Sequence, residues 1–179
     1  MKKILRKKII SIRKKKYLGS NSNQILNIYK LIKKKYKNFK VIGGYIPINY
    51  EFDCLNLCKF LEKKKYTICL PVIKKNSQMD FYKHSFKDPL GINKIGIPEP
   101  LNFKNKIIPD LIFVPIVGFD NKLNRLGYGG GFYDRYFQRN TTLKQIVKIG
   151  LAFSFQKIKK LPVNKYDKKL DLIITEKNI

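Results

Sequence analysis

Residues 114–136 read Val-Pro-Ile-Val-Gly-Phe-Asp-Asn-Lys-Leu-Asn-Arg-Leu-Gly-Tyr-Gly-Gly-Gly-Phe-Tyr-Asp-Arg-Tyr, and this stretch carries the chemistry of the chain. An apolar run over 111–117 ends at Gly118, a polar turn (Asp120, Asn121, Asn124) follows, and then Gly127, Gly129, Gly130 and Gly131 fall within five positions. Backbone N–H groups freed of side chains approach an anion closely, and a following helix N-terminus favours negative charge. The pattern is not a P-loop, because no Lys-Ser or Lys-Thr pair closes it, and Phe132 replaces the third glycine of a dinucleotide fingerprint. A plain flexible loop between strand and helix is the alternative. Arg125 and Arg135 bracket the glycines beside Asp134, which favours a nucleotide–metal site.

Composition sharpens these candidates. The 179 residues carry 39 basic and 12 acidic side chains, a formal charge of +27. Such a charge ordinarily points to nucleic acid. Here it is spread from end to end in short lysine runs (14–16, 33–35, 63–65), which reads as mutational bias on solvated faces; a polyanion-binding role is the alternative. No specific nucleic-acid partner is expected, although the field should draw in anionic small molecules. Only Arg6, Arg13, Arg125, Arg135 and Arg139 are arginine. Where lysine is the default cation, an arginine needs a reason, and its planar fork suits phosphate and carboxylate. The scarcity of acids gives Glu51, Asp134 and Asp167 the same weight. Cys54, Cys58 and Cys69 sit in apolar surroundings without a histidine or further cysteine to complete a zinc set, and read as reduced core thiols. His84 has no evident catalytic partner. No apolar stretch approaches a membrane span and no signal peptide is evident, so a soluble, cytoplasmic protein is expected; a monomer is expected as well.

The elements that must hold these residues alternate. Ile4, Leu5, Ile9 and Ile12 mark one face of an N-terminal helix, residues 19–23 break it, and Ile25, Ile28, Tyr29 and Ile32 mark a second. A strand over 41–46, a helix through Leu55, Cys58 and Leu61, a strand over 66–70 and a short strand over 79–82 follow. Residues 85–108 read as a long irregular segment. The central strand spans 111–117, a helix 132–138, and late strands 149–153 and 170–175. This β-α-β order predicts one α/β domain over 1–179, a three-layer α/β/α sandwich with a mostly parallel sheet. Ligands of such sheets gather at strand carboxyl ends, where both Glu51 and the glycine loop fall.

The run Arg125-Leu-Gly-Tyr-Gly-Gly-Gly-Phe-Tyr-Asp-Arg135, preceded by Pro-Ile-Val-Gly-Phe-Asp120, resembles the signature of the 5-formyltetrahydrofolate cyclo-ligase family. Lys2-Lys-Ile-Leu-Arg6 is similar to its N-terminal Lys-x-x-Leu-Arg element, and Tyr45-Ile-Pro-Ile-Asn-Tyr-Glu51 to the strand end that delivers its substrate-binding glutamate. Met79-Asp-Phe81, Gly96-Ile-Pro-Glu-Pro100 and Leu161-Pro162 through Asp167 fall in the family's order, so the resemblance covers nearly the whole chain. It departs at Tyr166-Asp167, where the family commonly has His-Asp, and over residues 20–40, where the likeness is only generally helical.

The resemblance implies an ATP-driven, magnesium-dependent conversion of 5-formyltetrahydrofolate to 5,10-methenyltetrahydrofolate, releasing ADP and phosphate. It assigns ATP to Lys2, Lys3, Ile4, Leu5 and Arg6, and to Arg125, Leu126, Gly127, Tyr128, Gly129, Gly130, Gly131, Phe132 and Tyr133. Folate is assigned to Ile46, Glu51, Tyr128, the three glycines 129–131 and Phe132, magnesium to Asp134 and Asp167, and catalytic roles to Arg125 and Tyr133. Each has a plainer alternative: a solvated basic helix for Lys2 and Arg6, a helix-terminal acid for Glu51, a core aromatic for Tyr133. A basic RNA-associated protein with a clustered face and aromatic platforms is the rival from another class. A different ATP-using transferase on the same scaffold is the rival enzyme.

Overall fold

The computed structural model describes every residue except Leu18, Ser20, Asn102, Thr141, Thr142, Lys144 and Ile179. Helices α1 (Lys2–Lys16) and α2 (Ser22–Lys35) open the chain, followed by β1 (Val41–Gly43), α3 (Cys54–Lys63), β2 (Thr67–Ile73) and β3 (Met79–Lys83). After β4 (Leu90–Ile92) and β5 (Pro98–Pro100) come β6 (Leu111–Pro115), β7 (Gly118–Phe119), β8 (Arg125–Leu126), α4 (Phe132–Asn140), β9 (Val147–Leu151) and β10 (Leu172–Ile174). The main sheet runs β10-β9-β6-β1-β2-β3 and is parallel except for β3, which pairs antiparallel with β2. The mostly parallel α/β sheet expected from the alternating elements is present.

Alternation along the strands builds the layers. Ile42, Ile68, Leu111 and Phe113 pack against Ile28, Ile32, Leu57 and Leu61 of α2 and α3. Ile112 and Val114, one residue out of phase, face Tyr136 and Phe137 of α4 on the other side. Asn21 and Gln24 form a capping box that starts α2, and Asp53 accepts the Asn56 N–H to start α3. None of the described lysines is buried, so the charge lies on solvated faces.

Several elements differ from their sequence reading. The 41–46 strand ends at Gly43, and the 111–117 strand ends at Pro115, whose ring removes the ladder donor. The second strand runs on to Ile73, because Pro71 sits opposite Phe81 on the antiparallel edge. The irregular 85–108 segment holds the hairpin β4–β5. The break before α2 is shorter than residues 19–23, since α2 begins at Ser22; Ser20 of that break lies outside the described residues. In α1 the buried residues are Ile9 and Arg13, whereas Ile4 is 74% exposed. In α3 Leu57 rather than Leu55 reaches the core.

Gly44, immediately after β1, shows how tightly this end of the sheet is packed. A Cβ there would sit 2.5 Å from the Cys58 sulfur and 3.3 Å from Leu70 Cδ2. Cys58 is a short side chain fixed on α3 and cannot swing away. Gly44→Ala should therefore destabilise the protein by about 1–3 kcal/mol in urea unfolding; a loss below about 0.3 kcal/mol would mean that α3 moves freely over the sheet.

Candidate functional site

β1 is flanked by β2 on one side and β6 on the other, so the chain leaves it in opposite directions. A crevice opens at the carboxyl ends of strands around such a reversal. Here it becomes a cavity of about 680 Å³. The segment after β1 supplies Tyr45, Ile46, Ile48 and Glu51; β8 and the segment after it supply Arg125 through Arg135; α1 supplies Lys2 and Arg6. Asn93, Ile95, Ile97 and Glu99 of the β4–β5 hairpin form a further wall, which sequence reading missed because the prolines at 98 and 100 read only as breakers. Lys3 and Ile4 are exposed, and Leu5 packs with Ile9 and Leu161, so these three do not line the cavity.

The glycine loop is held from both sides by arginines. Arg6 Nε donates to the Gly127 carbonyl at 2.7 Å, and its guanidinium lies 3.2–3.3 Å from where a Gly129 Cβ would stand. Gly129 has φ +110°, a backbone conformation that side-chain-bearing residues rarely adopt, and a Cβ there would also press on the Arg6 guanidinium. Arg135 donates to the Gly130 and Ser77 carbonyls. Arg125 pairs with Asp134 at 2.9 Å and lies 5.4 Å over the Tyr133 ring, while its Nε is buried without a partner. Burial raises the Tyr133 hydroxyl's pKa far above its ordinary range, so this group holds its proton at working pH.

The carboxylates sit in three settings. Asp134 accepts from Arg125 through one oxygen and from the Lys168 N–H through the other. Asp167 accepts from Lys2 Nζ at 2.7 Å and from the Asn164 N–H. Both line the cavity. Among the described residues no cluster of three or more acidic, histidine or cysteine side chains exists to hold a metal alone. Two hard carboxylates fit magnesium only in company with phosphate oxygens, the usual arrangement for that ion.

Glu51 is the third. It is 4% exposed; Oε2 accepts the Ile48 N–H at 2.9 Å, and Oε1 is buried without a hydrogen bond. Behind it lies Arg13, fully buried, 4.0 Å from Oε1. Burial drives the Glu51 pKa from 4.5 to about 7, with the Ile48 amide and Arg13 opposing. Arg13 was singled out by its residue type alone and given no role; its partners lie too far along the chain for spacing to reveal them.

The raised pKa means that folded protein binds this proton more tightly than unfolded chain. The resulting stability is fully present below about pH 4.5 and is lost as pH rises through about 7, up to about 3 kcal/mol in all. Glu51→Gln imitates the protonated form. Relative to the parent, the variant should gain about 1–3 kcal/mol between about pH 5 and pH 8 in denaturant unfolding. A gap that stays constant with pH would mean that Glu51 is already ionised throughout.

The relatives agree with this geometry. The profile described as the 5-formyltetrahydrofolate cyclo-ligase family matches residues 1–176. A 5-formyltetrahydrofolate cyclo-ligase of Haemophilus influenzae is 36% identical over 135 residues, 72% of this chain and 71% of its own. One of Mycoplasma genitalium is 32% identical over 161 residues, covering 89% and 85%. The solution structure of Aquifex aeolicus 5,10-methenyltetrahydrofolate synthetase superposes with a TM-score of 0.76 at 31% identity, covering 99% of this chain and 90% of that one. With the match spanning the glycine loop, Glu51 and the sheet that brings them together, the chain belongs to the 5-formyltetrahydrofolate cyclo-ligase family.

Proposed function

We propose that the protein closes 5-formyltetrahydrofolate to 5,10-methenyltetrahydrofolate at the expense of ATP, releasing ADP and phosphate. The observation that carries this reading is the pair of unmet polar atoms in one cavity: an acceptor at Glu51 Oε1 and a donor at Arg125 Nε. Buried polar atoms normally have partners. An amino-pyrimidine edge supplies N–H donors to the first, and a phosphate supplies oxygens to the second.

In this reading the pterin lies against Glu51 and Ile46, and the triphosphate lies along the glycine loop beside Arg125, Arg6 and Lys2. The formyl oxygen attacks the γ-phosphorus, the bond to the β–γ bridging oxygen breaks, and ADP leaves. The N5 iminium phosphate is then attacked at carbon by N10. Loss of the N10 proton and of phosphate gives the methenyl product. Such a transfer needs positioning and charge neutralisation more than a protein nucleophile. Arg125 faces the transferred group, and Tyr133, held protonated, braces Arg125 from below. Asp134 and Asp167 would hold Mg²⁺ with the phosphates, and the ion would neutralise charge developing on them. Lys2 and Arg125 give up part of their present pairing to do so. We infer that the enzyme works as a cytoplasmic monomer; its three buried cysteines, none of them in a disulfide, suit a reducing compartment.

Product formation followed by absorbance should require both ATP and Mg²⁺, with ADP and phosphate as the other products. Undiminished turnover in EDTA, or release of AMP and pyrophosphate, would refute the reading. Asp134→Asn should raise the magnesium concentration needed for half-maximal rate while leaving the circular-dichroism spectrum unchanged; an unaltered magnesium titration removes Asp134 from the metal site. Glu51→Gln places an N–H opposite a pterin N–H, a mismatch of about 1–3 kcal/mol, or roughly tenfold to a hundredfold in folate affinity. ATP affinity, measured by calorimetry on the same variant, should barely change. Loss of ATP binding with folate binding intact would reverse the map of the two half-sites.

A further inference from the structure

Arg13 is the one fully buried arginine among the described residues, in a chain whose described lysines all reach solvent. Nothing in the mechanism above uses it. Its Nε donates to the Asn49 carbonyl at 2.8 Å, one terminal nitrogen donates to the Ile116 carbonyl at 3.0 Å, and the other meets the Tyr128 hydroxyl. These partners belong to three separate pieces of the chain around the site: the loop after β1, the residue that follows β6 and the glycine loop. Asn49 and Tyr50 both have positive φ, 49° and 62°, a conformation that non-glycine residues adopt at a cost and keep only where the surroundings impose it. That strained pair immediately precedes Glu51. The side of Arg13 that donates to Ile116 also faces Glu51 Oε1 at 4.0 Å.

We infer that Arg13 is the positioning residue for folate recognition: its fork locks the strained loop before Glu51 onto β6 and the glycine loop, and its charge keeps the Glu51 carboxylate available as an acceptor. The inference rests on the reading of Glu51 as the pterin acceptor. Lysine cannot replace the fork, because one ammonium on a flexible stem does not span three acceptors set in a plane. It can replace the charge. The two contributions therefore separate by substitution. The glycine loop has its own anchors in Arg6 on Gly127 and Arg135 on Gly130, so loss of the Tyr128 contact should leave nucleotide binding largely intact.

The groups facing Glu51 are Arg13 from α1, Tyr128 from the glycine loop, Tyr45 after β1 and Tyr133 from α4. The three phenols have raised pKa values, Tyr128 at about 12, and hold their protons across the working range. The acidic limb of kcat/KM for folate, compared between variants on the same substrates, therefore reports Glu51.

Arg13→Met and Arg13→Lys should be compared with the parent in the methenyltetrahydrofolate assay from about pH 5.5 to 8.5. Both should raise the folate KM about tenfold or more while the ATP KM changes less than about twofold. The acidic limb should move to higher pH in Arg13→Met and stay near the parent's in Arg13→Lys. Equal rises in both KM values with an unmoved limb would make Arg13 a general structural residue and overturn the inference. If Arg13→Met does not fold by circular dichroism, the Lys variant decides by the same split of KM values. A parent that forms no methenyl product refutes the enzymatic reading itself. In that event the pH dependence of unfolding still tests Arg13: the stability gap opened by Glu51→Gln should extend to higher pH in an Arg13→Met background than in the parent or in Arg13→Lys, and the same gap in all three would overturn the inference.

Discussion

The parallel pairing of β1 with β6 is the constraint on which the site depends. Ile42 and Gly43 pair with Leu111 and Ile112 at the centre of the sheet, where the chain's progress across it reverses. Helices cannot cover both departing connections at that point, so a crevice remains above the strand ends. The two segments that leave there are the one bearing Glu51 and the one bearing the glycine loop. Their meeting follows from topology before any side chain is considered. Gly43 and Gly44 let β1 end in close contact with Phe81 and Cys58, which sets where the Glu51 loop begins.

The crevice is built at a cost in stability. Three buried side-chain polar atoms lack partners among the described residues, and two of them, on Glu51 and Arg125, line the cavity. Each such atom costs about 1–3 kcal/mol relative to a satisfied one. The core of both sheet faces, with side chains such as Phe81, Phe113, Leu57 and Ile42 almost wholly excluded from water, offsets these defects. A ligand that meets the two atoms recovers what folding left unmet, which is a reason for tight binding by a cavity of mostly apolar lining.

Much of this was legible in the residues. The buried strand at 111 follows from an apolar run, the glycine loop from its cluster of glycines, and the helix from Phe132 from aromatic and charged residues at helical spacing. The hairpin over the cavity was not legible, since Pro98 and Pro100 look like breakers until strand pairing gives them an edge. Ile4 was misplaced because helical spacing marks a face without saying whether anything covers it; Ile4 is exposed. Arg13 escaped for another reason. Its partners are backbone carbonyls and a hydroxyl 36, 103 and 115 residues away, which no local pattern encodes. Only its chemical oddity, an arginine among lysines, marked it.

The central claim is that the two segments brought together by β1 and β6 hold the formyl oxygen of the folate against the γ-phosphate of ATP in a single cavity. Isotope transfer tests it most directly. With 5-formyltetrahydrofolate labelled by ¹⁸O in the formyl group, the protein, ATP and Mg²⁺, one labelled oxygen should appear in the inorganic phosphate released per methenyl product formed. Phosphate that carries no label while methenyltetrahydrofolate accumulates would mean that the two substrates never exchange an oxygen in this site, and the account would be wrong.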